Sequence, residues 1–246
     1  MEVKLVAARY NAAAVVAQAP ELVFLAIPDQ AVPQYATALA AERDRGDTAF
    51  VHVSGALPLS ALDPVRAAGA RVGSFHPLQS FAAAREPAAF RDVMVAVDAS
   101  DDALLEQLRD LARQLGARPE RVTDGQRPLY HTAAVMASNY LVALAAEAAD
   151  VLARAGWARD EALQNMLPLM RGTLDNLGVA GLPDALTGPI RRGDIATVER
   201  NLAALDRELP DAARAYRMLG LAALELAQEA GLNRDRAEDI RMALTR

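Results

Sequence analysis

A chain of 246 residues, 52% of them hydrophobic, can build one large domain or two of ordinary size around packed cores. Its formal net charge of -6, with no basic stretch interleaved with aromatics, speaks against nucleic acid as a partner, and the absence of cysteine removes disulfides, thiolate nucleophiles and cysteine-ligated metals. The three histidines, His52, His76 and His131, lack the close spacing of a metal site, so no metal is expected, and Lys4 is the sole lysine.

The first residues, MEVKLVAARYNAAAVVAQA, end in small residues as a signal peptide does, but Arg9 and Asn11 interrupt the apolar segment, and a cytoplasmic protein is expected. Short apolar runs then alternate with helical stretches, the pattern of an α/β domain with a parallel sheet. The predicted strands are Val3 to Ala7, Leu22 to Ile27, Ala49 to Val53, Arg71 to Phe75 and Val93 to Val97, with a last short one around Val122. Leu22 to Ile27, LVFLAI, is continuously apolar, as a strand covered on both faces should be. Helices are predicted over Pro33 to Arg45 and over Ala103 to Leu115, where Leu104, Leu108, Leu111 and Leu115 fall at helical spacing. The composition shifts near residue 117, giving an expected division into an α/β domain over 1–117 and an all-α domain over 118–246.

Beyond the shift every predicted element is a helix: Leu129 to Ala155, Ala158 to Leu177, Ile195 to Arg207, Asp211 to Ala230 and Arg234 to Leu244. Gly156 and Gly231 read as helix stops and Asp194 as an N-cap. The stretch from Ala133 to Ala153 is apolar enough to suggest a membrane span, but it contains Asn139, Glu147 and Asp150 and is read as a buried helix, with no membrane partner.

In an open parallel sheet ligands bind outside the carboxyl ends of the strands, and the polar clusters of the first domain fall there. One strand exits into Pro28 and Asp29, the next into Ser54 and Gly55, the third into His76, Gln79 and Ser80. Helix capping explains any one of these exits; three together favour a site. A second cluster, LYHTAAVMASNYLVAL, puts His131 and Asn139 on one helix face with Ser138 beside them. A buried amide there needs a partner, at a cost of about 1–3 kcal/mol if it has none, whether that partner is a substrate or a neighbouring helix. A third holds Arg171 within an apolar helix, and Thr187 in the turn before Arg191 and Arg192, where an anionic substrate or an internal acid would meet the guanidinium groups.

The segments AIPDQAV, VHVSGAL, GSFHPLQSF, LYHTAAVMASNYLVAL, LMRGTL and LTGPIRRGD, in this order and over almost the whole chain, resemble an uncharacterised bacterial family that joins a Rossmann-like domain to a helical domain of unknown function. The family resembles a branch of the 6-phosphogluconate dehydrogenase-like superfamily, alongside pyrroline-5-carboxylate and ketopantoate reductases. The resemblance implies an oxidoreductase that uses NADP or NAD, works as a homodimer, and acts on a small keto or imine substrate. It places Pro28, Asp29, Ser54 and Gly55 near the cofactor and makes Asn139 the substrate-holding asparagine; Gln79, Ser80, Ser138, Arg171 and Thr187, from the polar clusters above, are the candidate substrate contacts. Related dehydrogenases carry a proton-donating lysine one turn before the asparagine; Val135 stands there, so His131 or His76 is the expected donor.

The sequence departs from the family in having no GxGxxG, the turn whose bare backbone admits a pyrophosphate. If Leu22 to Ile27 is the fourth strand of the nucleotide domain, the first strand and its glycine turn are missing, roughly 30–45 residues by the size of a βαβ unit. An N-terminally incomplete sheet and weak or absent dinucleotide binding are therefore expected. A start displaced from the true one, a real loss of cofactor binding, or a gap covered by a partner chain would each account for it. The alternative function is a non-catalytic small-molecule-binding or dimeric interaction module that has lost the dinucleotide site.

Overall fold

In the computed structural model, residues 12–17, 20–42, 46–81 and 86–246 are described; the predicted strand Val3 to Ala7 lies outside them. The chain divides into two compact units, Met1–Asn139 and Tyr140–Arg246. The first therefore runs past the composition shift near residue 117 and takes in residues 118–139.

The first unit is built on five strands in the order β1 (Leu22–Leu25), β2 (Ala49–His52), β3 (Arg71–Pro77), β4 (Met94–Ala99) and β5 (Arg118–Arg121). Its helices are α1 (Ala12–Val16), α2 (Val32–Ala41), α3 (Asp63–Ala67), α4 (Asp102–Gln114) and α5 (Arg127–Ala137). The sheet is mostly parallel, as a Rossmann-like sheet requires, but β3 and β4 pair antiparallel, against the all-parallel expectation. A parallel return needs a crossover element. The described residues between β3 and β4 hold only one short 3-10 turn, Pro87–Phe90, so the chain comes back alongside.

Strand alternation sorts the core onto two faces. Phe50 and Val72 pack with Leu39, Leu62 and Val65 from α2 and α3 on one face, while Val51, Phe75, Val95 and Val97 pack with Leu104, Leu105 and Leu108 of α4 on the other. The leucine spacing that predicted α4 is thus its buried stripe. Asp101 starts that helix by accepting the Leu104 amide at 2.9 Å, and Asp102 and Arg113 complement its dipole ends.

In the second unit lie α6 (Asn139–Arg154, its first residue closing unit one), α7 (Arg159–Ala180), α8 (Gly188–Arg192), α9 (Ile195–Glu208), α10 (Pro210–Glu229) and α11 (Arg234–Thr245). Its core gathers Ile190, Val198, Leu202, Leu224, Ile240 and Leu244 from α8 to α11. Asp194 caps α9 as expected, accepting the Thr197 amide at 3.1 Å.

The helix predicted from Leu129 to Ala155 is interrupted at Ser138, so it forms α5 and α6. Nor is it buried: Leu129 is 79% exposed, Val142 70%, and Met136 and Tyr140 are exposed as well. By length and composition alone Arg127–Arg154 would cross a membrane, with 6% of its most apolar window buried within this chain. On α7, Leu169, Leu174 and Val179 are likewise exposed.

Candidate functional site

The pairing registers of the sheet create the site. His52 on β2 pairs with Ser74 on β3, and Ser74 with Asp98 on β4, so one polar row crosses three adjacent strands on a single face. All three are buried. Arg127, at the start of α5 and 1% exposed, lies over that row: it hydrogen-bonds the Ser74 hydroxyl through Nη2 and the Ser54 carbonyl through Nη1 at 3.4 Å. Its Nε stands 3.4 Å from Asp124 Oδ1, within ion-pair range but without the alignment of a hydrogen bond. Asp124 in turn accepts the Leu59 amide at 2.6 Å, and Asp98 pairs with Arg121 Nε at 3.1 Å. A guanidinium this deep is desolvated, which pulls its pKa down, while Asp124 and Asp98 oppose the effect.

The next residue of the same β3 face is His76. The strand runs to Pro77, so His76 sits within the ladder opposite Ala96, not in the following loop as predicted. Its ring lies against the bare backbone of Gly55, where an added Cβ would come within 2.7 Å of the imidazole. His76 Nδ1 meets the Tyr130 hydroxyl at 2.7 Å, with the two rings edge-on at 89°. Burial first, then the neighbouring His131 and Arg127, lowers the His76 pKa to about 4, so the ring is neutral at pH 7. Tyr130 is pushed up to about 12 by burial. Its proton therefore stays on, and the phenol and His76 Nδ1 share one short hydrogen bond whose direction follows the imidazole tautomer. His52 is also held to about 4, by burial and by Arg127, and among the described residues both its ring nitrogens lack hydrogen-bond partners, as does His131 Nδ1.

Ser54 closes the rim. Its hydroxyl donates to Asp29 Oδ2 at 2.7 Å and accepts the amides of Ala56 and Leu57 at 3.1 and 3.0 Å, tying the β1 exit to the β2 exit. Pro28 ends β1's exit with its carbonyl accepting the Ala31 amide at 2.8 Å.

Among the predicted residues, Asp29, Ser54, Gly55, His76 and His131 are thus brought together within the first unit. Gln79 and Ser80 are exposed, and the Gln79 side chain accepts the Ser80 amide at 2.9 Å. Asn139 is exposed at the start of α6, so the buried amide in need of a partner does not exist, and the break at Ser138 separates it from His131's helix. Arg171 is exposed on α7, and Thr187 precedes α8 in the second unit. His52, Ser74, Asp124, Arg127 and Tyr130 were missed. The one available signal was Asp124 and Arg127 three apart just before LYH; the pairing of His52 with Ser74 has no local trace.

A cavity of about 500 Å³ is lined by Phe24, Phe75, Phe81, Phe90, Leu111 and Leu115, with His76 and Gln79 at its border. Phe75 faces α4 and the His76 ring faces Gly55, so this apolar space and the imidazole–phenol pair lie on opposite sides of β3. Asp29 and Asp124 set carboxylates at the rim, and GxGxxG occurs nowhere in the sequence.

A Rossmann-like domain profile matches residues 5–77, and the profile of a domain of unknown function, DUF2520, matches residues 93–223. No curated protein matches the chain. Among solved structures, protein TM1727 from Thermotoga maritima is 27% identical, with a TM-score of 0.72 over 86% of this chain and 80% of that one. A Bacteroides fragilis protein provisionally assigned as an NADP oxidoreductase is 25% identical, with a TM-score of 0.65 over 83% of this chain and 75% of its own. Pyrroline carboxylate reductase from Plasmodium falciparum, solved with NADP bound, shares the fold at 10% identity, with a TM-score of 0.55 over 91% and 77% of the two chains. The DUF2520 match spans more than half of the residues, and the chain belongs to that family, joining a Rossmann-like sheet to a helical domain in the fold of the 6-phosphogluconate dehydrogenase-like reductases.

Proposed function

We propose that the protein is an NAD(P)-dependent reductase of a small carbonyl or imine substrate bearing a carboxylate. The observation that carries the reading is the His76–Tyr130 pair, held against Gly55 at the carboxyl ends of the strands. The resemblance to the Bacteroides fragilis protein supports the cofactor class. NAD(P)H would supply the hydride; this chain's residues supply the hydrogen bond and the proton. With Tyr130 taken as donor to Nδ1, a neutral His76 gives its Nε2 proton to the substrate's oxygen or nitrogen while Nδ1 takes the Tyr130 proton, and the phenolate, unfavourable in this buried place, regains a proton from water as product leaves. With carboxylates at the rim and no GxGxxG in the sequence, weak dinucleotide affinity is part of the same proposal.

The test is turnover of NADPH and NADH against a panel of short keto acids and cyclic imino acids, with H76N and Y130F beside the parent. General acid catalysis contributes on the order of 10²–10⁴-fold, so each variant should lose about that much kcat while nucleotide affinity stays unchanged. Parent-like kcat in both variants would sink the assignment.

A second reading, a non-catalytic small-molecule-binding module, is favoured by one observation: Ser54's hydroxyl and Gly55's open face are already occupied by the protein's own groups. Saturable binding of the same acids with no turnover at any nucleotide concentration would select it. We also propose a homodimer, in which a second copy covers the exposed apolar residues of α5, α6 and α7. Light scattering at twice the chain mass supports it; a monomer that floats with vesicles would point to a bilayer instead.

A further inference from the structure

The His76–Tyr130 reading uses no residue of LTGPIRRGD, in which Thr187 is an expected substrate contact. In the second unit the motif folds into α8 and the turn to α9, and there it walls a cavity of about 660 Å³. Arg191 and Arg192 come from the motif, Arg236 and Asn233 from the start of α11, and Leu186 and Leu232 form the apolar part of the wall. None of the three guanidinium groups lies within ion-pair distance of a carboxylate among the described residues, as holds also for Arg171, Arg200, Arg234 and Arg241; what sets these three apart is that they line one cavity. Asp184 is the one acidic residue in the wall, so the lining itself carries an excess of two positive charges, with Asp194 beside it, whose carboxyl is held low by Thr197 first and in part by the nearby Arg192 charge.

The placement of Arg236 is built rather than incidental. Gly193 is left-handed, with φ of 67°, and an added Cβ would meet Arg236 Cδ at 2.8 Å and Leu232 Cδ1 at 3.0 Å. The aliphatic stem of Arg236 therefore rests on a position that only glycine suits. Its Nη1 donates to the Arg192 carbonyl at 3.3 Å, which aims the head group while leaving its remaining donors free of any carboxylate. Asp194, the nearest acid in the motif, is engaged by Thr197 through both its amide and its hydroxyl.

We propose that this cavity binds a compact dianion, such as the phosphate of a small phosphorylated molecule or a dicarboxylate. Guanidinium forks match planar or tetrahedral oxyanions bidentately, and an excess of two positive charges favours a dianion over a monocarboxylate. The apolar wall at Leu186 and Leu232 leaves room for the carbon part of the ligand. The site is independent of the reductase reading, since it uses no residue of the first unit.

Calorimetric titration of the full chain with inorganic phosphate, malonate and acetate, at matched ionic strength in chloride, tests it. Saturable binding of phosphate or malonate, weakened tenfold or more in R236Q and in R191Q, is expected, with acetate at least tenfold weaker than the better dianion. Phosphate alone would identify a phosphate ligand and malonate alone a dicarboxylate. Both variants change exposed or half-exposed side chains, and circular dichroism confirms that they fold; R192Q gives a third reading of the same wall. Heat that fails to saturate, affinities equal in parent and variants, or acetate binding as tightly as phosphate would overturn the proposal.

Discussion

The two units use the same residue type, arginine, in opposite ways. In the sheet unit Arg127 is withdrawn from water over a row of polar side chains, and it joins Ser54 and Ser74 from distant parts of the chain to its near neighbour Asp124. In the helical unit Arg217 holds Asp206 by two 2.8 Å bonds and Arg159 holds Asp150, all at the surface. Water screens the second kind of pair and not the first, so similar geometry has different consequences. Burial, more than residue identity, decides which arginine organises the fold.

The largest effect expected from this contrast is Arg127→Met. Removing the buried guanidinium strips the Ser74 hydroxyl and the Ser54 carbonyl of hydrogen bonds to a charged group, about 1.5–3 kcal/mol each, so about 3–5 kcal/mol should be lost in urea unfolding, while Asp124, 42% exposed, turns to water. Arg217→Ala is its counterpart, with a small shift in midpoint that added salt erases; equal losses in the two variants would break the comparison.

Next in size is the pH dependence. His52 and His76 titrate at about 4 when folded and near 6.5 when unfolded, so the unfolded state binds more protons between those values. The stability present above pH 6.5 should fall as pH drops through that window and level off below 4. The buried His52 alone accounts for roughly 3 kcal/mol at ~1.36 kcal/mol per pH unit. Unfolding free energies measured from pH 7.5 to 3.5 should show this slope, and His52→Phe, which replaces a ring without hydrogen-bond partners, should flatten it without loss of stability at pH 7. A slope in the variant equal to that of the parent would show that His52 is not the group responsible.

Gly55→Ala comes third. The new methyl group must move the His76 ring, at a cost of about 1–3 kcal/mol for overpacking, and the contact between Nδ1 and Tyr130 should be lost. An imidazole NMR shift unchanged from the parent would show that the neighbours absorb the methyl. Smallest is Arg159→Ala at the surface pair with Asp150, expected to leave the unfolding midpoint unchanged within error; a clear drop would show that surface pairs matter more in the helical unit than the contrast allows.

Much of the framework was legible from local pattern. Four predicted strands and α4 lie where alternation and leucine spacing put them, because period is a property of neighbouring residues. The resemblance to a Rossmann-like chain with a helical extension was carried by whole segments and agrees with the family found. His76, Ser54, Gly55 and Asp29 were legible as strand exits, and their convergence follows from the topology rule for sheets. Arg127, Tyr130 and His52 were not. Their roles depend on register between strands and on where α5 settles, and neither leaves a mark within a window of a few residues.

The buried reading of Ala133 to Ala153 shows the same limit from the other side. Its apolar composition says that the stretch should leave water, but not what covers it, and within this single chain it stays exposed. The amino-acid sequence by itself determined the elements, the order in which strands and helices follow, the absence of thiol chemistry and the chain's family. The tertiary structure alone decided that β4 runs against β3, that Asn139 is solvated, and that a histidine, a serine and an aspartate from three strands share one buried row beneath an arginine. The reason is physical: backbone periodicity is set by nearest neighbours, whereas desolvation and charge pairing are set by groups that the fold brings together from distant parts of the chain.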